Sequence, residues 1–266
     1  MRSSVADYEV IRELPSAGGG VRYLCRPPDR LGLGPSPVMV TEVAVDAAGW
    51  QTLTERLTRY AAVDSDRLMS LIEVGPDLDP VGAGVYLATE AAAGGWLSDP
   101  AGDLDDATRV LAVGRVARGL HALHESGVAH GAITARAVVL ADRGAVLAPP
   151  PLDLPAGALT RIGAWRDLVT IDPDLLSGEE TSRSSDVWAL GATLHIALSD
   201  RPLYPGIEKD AAVTAIQRIL FTRPEVDPEI RPEVADVIRS CLEPDPAARP
   251  TTAEELADRL QSTEAP

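Results

Sequence analysis

The chain has 266 residues, 45% of them hydrophobic, enough to close one large domain or two packed lobes around a core, and too apolar for a disordered segment. Its 24 basic and 40 acidic residues leave a formal net charge of -16, which repels phosphate backbones and anionic headgroups and argues against nucleic acid or a membrane surface as partner. The basic residues are arginines apart from Lys209, and asparagine is absent.

Two cysteines, Cys25 and Cys241, stand far apart with no CxxC pair or Cys/His cluster, so neither a disulfide scaffold nor structural zinc is expected. The opening MRSSVADYEV has no apolar signal segment, and no apolar run approaches the ~18 residues of a membrane span. A cytoplasmic domain without direct membrane insertion is expected.

From the N-terminus, YEVIREL, AGGGVRYLCR, SPVMVTEVAV, LMSLIEV and GVYLATE alternate apolar with polar residues and carry β-branched side chains, which predicts an antiparallel sheet. Between them, Leu53, Leu57 and Tyr60 recur at helical spacing, predicting one helix over Ala48 to Val63. After AAAGG at Ala91 to Gly95 the pattern becomes helical. Asp105 and Asp106 precede Val110, Val113, Val116, Ala117, Leu120 and Leu123, which share a face. Further helices are predicted at Ser185 to Leu198, Ala211 to Leu220, Pro232 to Leu242 and Ala253 to Leu260. The fold class is therefore α+β, with a small β lobe holding one helix, residues 1–93, and a larger helical lobe, residues 94–266, joined where ligands often bind.

The segment PDLLSGEETSRSSDVWALG at Pro173 to Gly191 resembles the APE segment and following helix start of bacterial Ser/Thr protein kinases, and the resemblance runs from about Tyr8 to Leu260. It implies a two-lobed protein-kinase-like fold. On this resemblance Arg249 pairs with an acidic residue at Asp174, Asp186 accepts backbone hydrogen bonds from the catalytic loop, and His130 is a packed structural histidine opening that loop in ESGVAHGAITARAVVL. Thr89 is the gatekeeper, followed by a hinge from Glu90.

The same resemblance implies losses. Phosphoryl transfer in this family uses a strand lysine, a catalytic aspartate and two metal ligands. Their positions fall at Thr41, Ala132, Ala137 and Pro149, the last opening a run of three prolines. The glycine loop keeps Gly20 and places Arg22 under the adenine position. The expectation is a pseudokinase that is not an enzyme, takes no cofactor, holds no metal and binds proteins as a regulatory or scaffolding module. The expected partner is an active Ser/Thr kinase or a phosphothreonine-reading domain, with no nucleic acid. Thr160, Trp165 and Thr170 in the activation-segment equivalent offer a surface for it. A nucleotide or small-molecule sensor using the vestigial cleft is the alternative, and an atypical transferase using Asp142 or Asp153 a further one.

Overall fold

A computed structural model describes residues 2–17, 20–44, 47–77, 84–100, 102–150 and 165–264. The chain divides into two compact units, one drawn from residues 1–64 and 69–92 and the other from residues 65–68, 93–150 and 163–266.

The first unit is built on a six-stranded sheet. Its strands are β1 (Ser4–Val5), β2 (Tyr8–Ala17), β3 (Gly20–Arg26), β4 (Val38–Ala44), β5 (Leu71–Asp77) and β6 (Gly84–Glu90), in the order β1-β2-β3-β4-β6-β5. Each neighbouring pair is antiparallel. Alternation decides the faces, because successive strand side chains point to opposite sides. Val38 and Val40 of β4 and Tyr86 and Ala88 of β6 pack with Tyr8, Tyr23 and Cys25 on one face. Val43, Val85 and Leu87 meet Leu53 and Leu57 of α1 (Ala47–Ala61) on the other. Gly20 is fixed by strand approach: a Cβ there would lie 2.7 Å from Val43 Cγ2 and 2.9 Å from the Glu42 carbonyl oxygen.

The second unit is mainly helical, with α2 (Asp106–Glu125), α3 (Trp165–Leu168), α4 (Pro173–Leu176), α5 (Arg183–Leu198), α6 (Ala212–Phe221), α7 (Pro232–Cys241) and α8 (Ala253–Thr263). Asp105 caps α2 by accepting from the Thr108 amide at 2.7 Å, satisfying a donor the helix itself leaves free. Ser182 and Ser185 form a reciprocal cap on α5, and Thr252 caps α8. Gly191 lets α5 and α7 touch, since a Cβ there would lie 2.4 Å from Cys241 Cβ.

A small four-stranded sheet belongs to this unit, with β7 (Gly95–Trp96), β8 (Asp99–Pro100), β9 (Val138–Ala141) and β10 (Gly144–Leu147) in the order β10-β9-β7-β8. Residues 65–68 join it: the Leu147 amide donates to the Arg67 carbonyl at 2.9 Å, and Arg143 donates to the Asp66 and Leu68 carbonyls. No helix among the described residues is long and apolar enough to cross a membrane.

Candidate functional site

The centre of the helical unit is a buried polar cluster on the first turn of α5. Asp186 is 1% exposed. Its Oδ2 accepts from the His130 amide at 2.7 Å and from His124 Nε2 at 2.9 Å, while Oδ1 accepts from the Gly131 amide at 2.7 Å. A carboxylate out of water is tolerable when its lone pairs are filled in this way, and these three donors fix the loop's backbone to the helix.

His130, fully buried, completes the clamp. Its Nδ1 accepts from the Ala132 amide at 3.3 Å, which leaves Nε2 to donate to the Ala148 carbonyl at 2.9 Å. The ring thus ties the loop to the residue before Pro149, with each nitrogen engaged by backbone. Pro149 and Pro150 are buried, and the Ala148 amide donates to the Ala137 carbonyl at 2.8 Å. Gly131 has φ +75°, and a Cβ on it would meet Thr181 Cγ2 at 2.8 Å. Glycine answers both the left-handed backbone and the close approach.

Ala132 lies half-buried in this loop and Ala137 is buried. A methyl group neither accepts a proton nor ligates a metal, so what the loop offers at these two positions is backbone shape. Asp142, weighed as a substitute metal ligand, is exposed in the turn between β9 and β10. Asp153 lies outside the described residues. Among the described residues there is no group of three or more His, Cys, Asp or Glu that could hold a metal.

In the first unit, Thr41 pairs with Arg22 on β3 and Leu87 on β6, and both Thr41 and Arg22 are half-buried. Thr89 is 2% exposed and its hydroxyl donates to the Glu90 carbonyl at 3.2 Å. Glu90 holds the start of β5: its carboxylate accepts from the Ser70 amide at 2.7 Å and its own amide donates to the Ser70 carbonyl at 3.1 Å.

Two expectations about individual residues are corrected by the structure. Arg249 pairs with Asp172, two positions before Asp174. Asp172 is the N-cap of α4, accepting from the Asp174 amide at 3.1 Å, so its carboxylate faces the helix start while Asp174 sits within the turn. Arg249 also donates from Nε to the Glu243 carbonyl at 2.8 Å and lies 5.0 Å from the Trp188 ring centroid. The second correction concerns Thr170, which is 4% exposed beside the buried Leu168 and Val169 and offers no surface to a partner. Thr160 lies outside the described residues, as does the side chain of Trp165.

Sequence reading missed two functional positions, and each had a signal. His124 continues the buried stripe of Val113, Ala117 and Leu120 at helical spacing, which marks it as facing the core. In the structure His121 lies 3.4 Å from Glu254 and His124 meets Asp186. Asp172 precedes Pro173, and an aspartate before a proline at a helix start is an N-cap signature.

A strand-rich unit with one helix, a helical unit, and an aspartate at a helix start gripping a histidine-containing loop define a protein-kinase fold. Known proteins agree. The family model described as protein kinase domain matches residues 169–260. The PknI kinase domain of Mycobacterium tuberculosis superposes with a TM-score of 0.72 at 17% identity, covering 100% of this chain and 99% of that one. A probable serine/threonine-protein kinase, PkwA, of Thermomonospora curvata is 28% identical over 266 residues, 95% of this chain and 34% of the relative. Calcium-dependent protein kinase 22 of Oryza sativa subsp. japonica is 27% identical over 222 residues, 79% of this chain and 38% of the relative. The chain thus spans about a third of the length of these curated relatives.

The chain has a protein-kinase fold, and its sequence is similar to that of a bacterial Ser/Thr protein kinase. The expectation that it is not an enzyme is corrected by the same findings: the relatives are named as protein kinases and the fold is that of a kinase domain, which points to an enzyme. That expectation rests on motif alignment at four positions and on the absence of asparagine and of any lysine before Lys209, and neither shows how the whole domain handles a substrate.

Proposed function

We propose that this kinase-like domain acts in cytoplasmic signalling by binding a protein partner through its helical unit. The observation that carries the reading is the outer face of α6. The chain's one phenylalanine, Phe221, is 81% exposed at the end of that helix, and Val213 near its start is 69% exposed. Large apolar side chains left in water are a standing cost that a protein interface relieves, and aromatic residues carry much of the energy at such interfaces. Beneath this face, Ala215 and Ile219 are buried, so the helix is held by one side and presents the other.

On this reading Thr41, Ala132, Ala137 and Pro149 serve the architecture, and phosphoryl transfer, where it occurs, runs through other side chains. The partner expected is an active Ser/Thr kinase or a phosphothreonine-reading domain. Affinity capture from the native host with the wild-type chain and with Phe221→Asp tests this. A partner of either class should be held by the wild type and lost with the variant. Capture of the same proteins by both, or of neither class, overturns the reading.

A second reading, an atypical phosphotransferase, is favoured by the names of the relatives. Purified protein incubated with labelled ATP and magnesium or manganese, with a generic protein substrate, measures it directly. Label transfer that scales with this chain supports the second reading, and a signal independent of the chain counts against it. A thermal-shift titration with ATP addresses the sensor alternative.

A further inference from the structure

Arg67, Arg115 and Arg118 line one pocket of about 240 Å³ on the helical unit, beside α2 and α8. Asp66 is the one carboxylate that Arg67 and Arg115 share, at 3.0 Å from Arg67 Nη1 and 3.1 Å from Arg115 Nη2. Arg118 Nη2 donates to Asp258 at 2.7 Å and to Gln261 at 2.8 Å. A guanidinium carries five N–H donors in a planar fork. Among the described residues, Arg67 and Arg115 each use one of them, and their buried Nε atoms have no hydrogen-bond partner.

Among the described residues, two carboxylates against three guanidiniums leave the pocket short of negative charge, in a molecule that has negative charge in excess. Both carboxylates are themselves largely exposed, at 60% and 64%, so water already competes for them and they hold the arginines weakly. The buried Nε atoms face the protein, that of Arg115 lying against Gly144, so the terminal nitrogens of the three arginines are what the pocket offers. Guanidiniums lining one pocket are the chemistry that recognises a phosphate group, whose oxygens take paired donors from more than one arginine. Apart from Gln261 the rest of the wall is apolar, with Leu111, half exposed, Gly114 and Leu260. An inorganic ion would leave that wall uncovered, whereas a phosphorylated side chain on a polypeptide brings neighbouring apolar groups with it.

We propose that the Arg67, Arg115 and Arg118 pocket binds a phosphorylated serine or threonine side chain presented by a protein. The pocket lies on α2 and α8, separate from the α6 face, so it stands or falls independently of partner binding there.

The test uses the full chain and follows the arginine side-chain N–H resonances by NMR while N-acetyl-phosphothreonine methylamide, its unphosphorylated counterpart or inorganic phosphate is added. The phosphorylated compound should shift the Arg67, Arg115 and Arg118 signals to saturation, at lower concentration than inorganic phosphate, and the unphosphorylated one should leave them unmoved. Arg115→Ala should weaken binding about tenfold or more, the effect of losing a charge-assisted hydrogen bond. Arg118→Lys, which keeps the charge and loses the fork, should also weaken it. Arg239→Ala on α7, whose arginine pairs with Asp236 in its own helix, should change nothing. Absence of saturable shifts at the three arginines, equal shifts from the unphosphorylated compound, or the same loss with Arg239→Ala overturns the proposal. Inorganic phosphate binding as tightly as the phosphothreonine compound would mark a free-anion site and overturn the phosphoprotein source.

Discussion

Asp172 and Arg249 show what a buried ion pair needs in order to exist. Their side chains are 2% and 1% exposed, so each charge has lost its water and must be compensated by geometry. The guanidinium meets the carboxylate on two nitrogens, reaches the Glu243 and Pro244 carbonyls, and faces Trp188. Arg249→Met therefore strands Asp172 as an unpaired buried charge, and denaturant unfolding should show a loss of about 3–5 kcal/mol. Asp174→Asn should lie within about 0.5 kcal/mol of the parent, as a change away from any such network does. Equal destabilisation of the two variants would show that Asp172 is not the partner that matters to Arg249. Gly131 sets a different constraint. Its φ of +75° and the 2.8 Å approach to Thr181 mean that Gly131→Ala should cost about 1–2 kcal/mol from the left-handed backbone alone, measured by the same unfolding experiment. An equally stable Gly131→Ala protein would show that the loop relaxes.

At the scale of the element, α5 is the axis of the helical unit, and its buried histidine makes it pH-sensitive. His195 is fully buried. Burial pushes its pKa down to about 4, with Asp227 opposing and Arg166 assisting that fall. The folded protein thus keeps the ring neutral between about pH 4 and the unfolded value of about 6.5, while the unfolded chain takes up a proton there. His195 contributes fully above that unfolded value, and its contribution falls away as pH drops toward 4. The loss should reach roughly 3 kcal/mol near pH 4, because stability falls by about 1.36 kcal/mol for each pH unit over which only the unfolded chain is protonated. Denaturant midpoints of the parent and of His195→Gln across this range give the difference: the parent should steepen downward below pH 6.5 and the variant should be flatter. Parallel profiles would show that His195 does not set the acid response.

The elements themselves were largely legible. The apolar, β-branched runs in Val38 to Ala44 and Gly84 to Glu90 identified two strands, which pack apolar side chains on both faces of the sheet, and the Val113, Ala117, Leu120 stripe identified α2. The sheet β7 to β10 was not legible, since Gly95–Trp96 and Asp99–Pro100 are too short to show any period. At the site, Asp186 and Arg249 stood out through their motif, whereas their partners did not. Choosing Asp172 over Asp174 depends on which carboxylate faces inward at the start of α4, a matter of cap geometry that charge and spacing leave open.

For the whole molecule, the -16 charge sets how stability responds to salt. Two electrostatic effects oppose one another. Exposed ion pairs such as Arg26 with Glu9 and Arg239 with Asp236 lose strength on screening, yet each is worth only about 0–1 kcal/mol to begin with. The excess of negative charge repels itself across the folded surface, and that repulsion is longer in range and grows with every unpaired carboxylate. Raising ionic strength from about 0.01 M to 0.15 M shortens the screening length from about 30 Å to 8 Å, which removes most of the long-range repulsion while leaving the buried Asp172 and Arg249 pair nearly untouched. The repulsive component should win, and the thermal midpoint should rise with salt, each ~1 kcal/mol of relief appearing as about 2–4 °C in a chain of this size. Calorimetry in potassium chloride and in choline chloride separates general screening from binding of a particular cation. Equal increases in both salts are expected, and a falling midpoint would show that the exposed ion pairs outweigh the net charge.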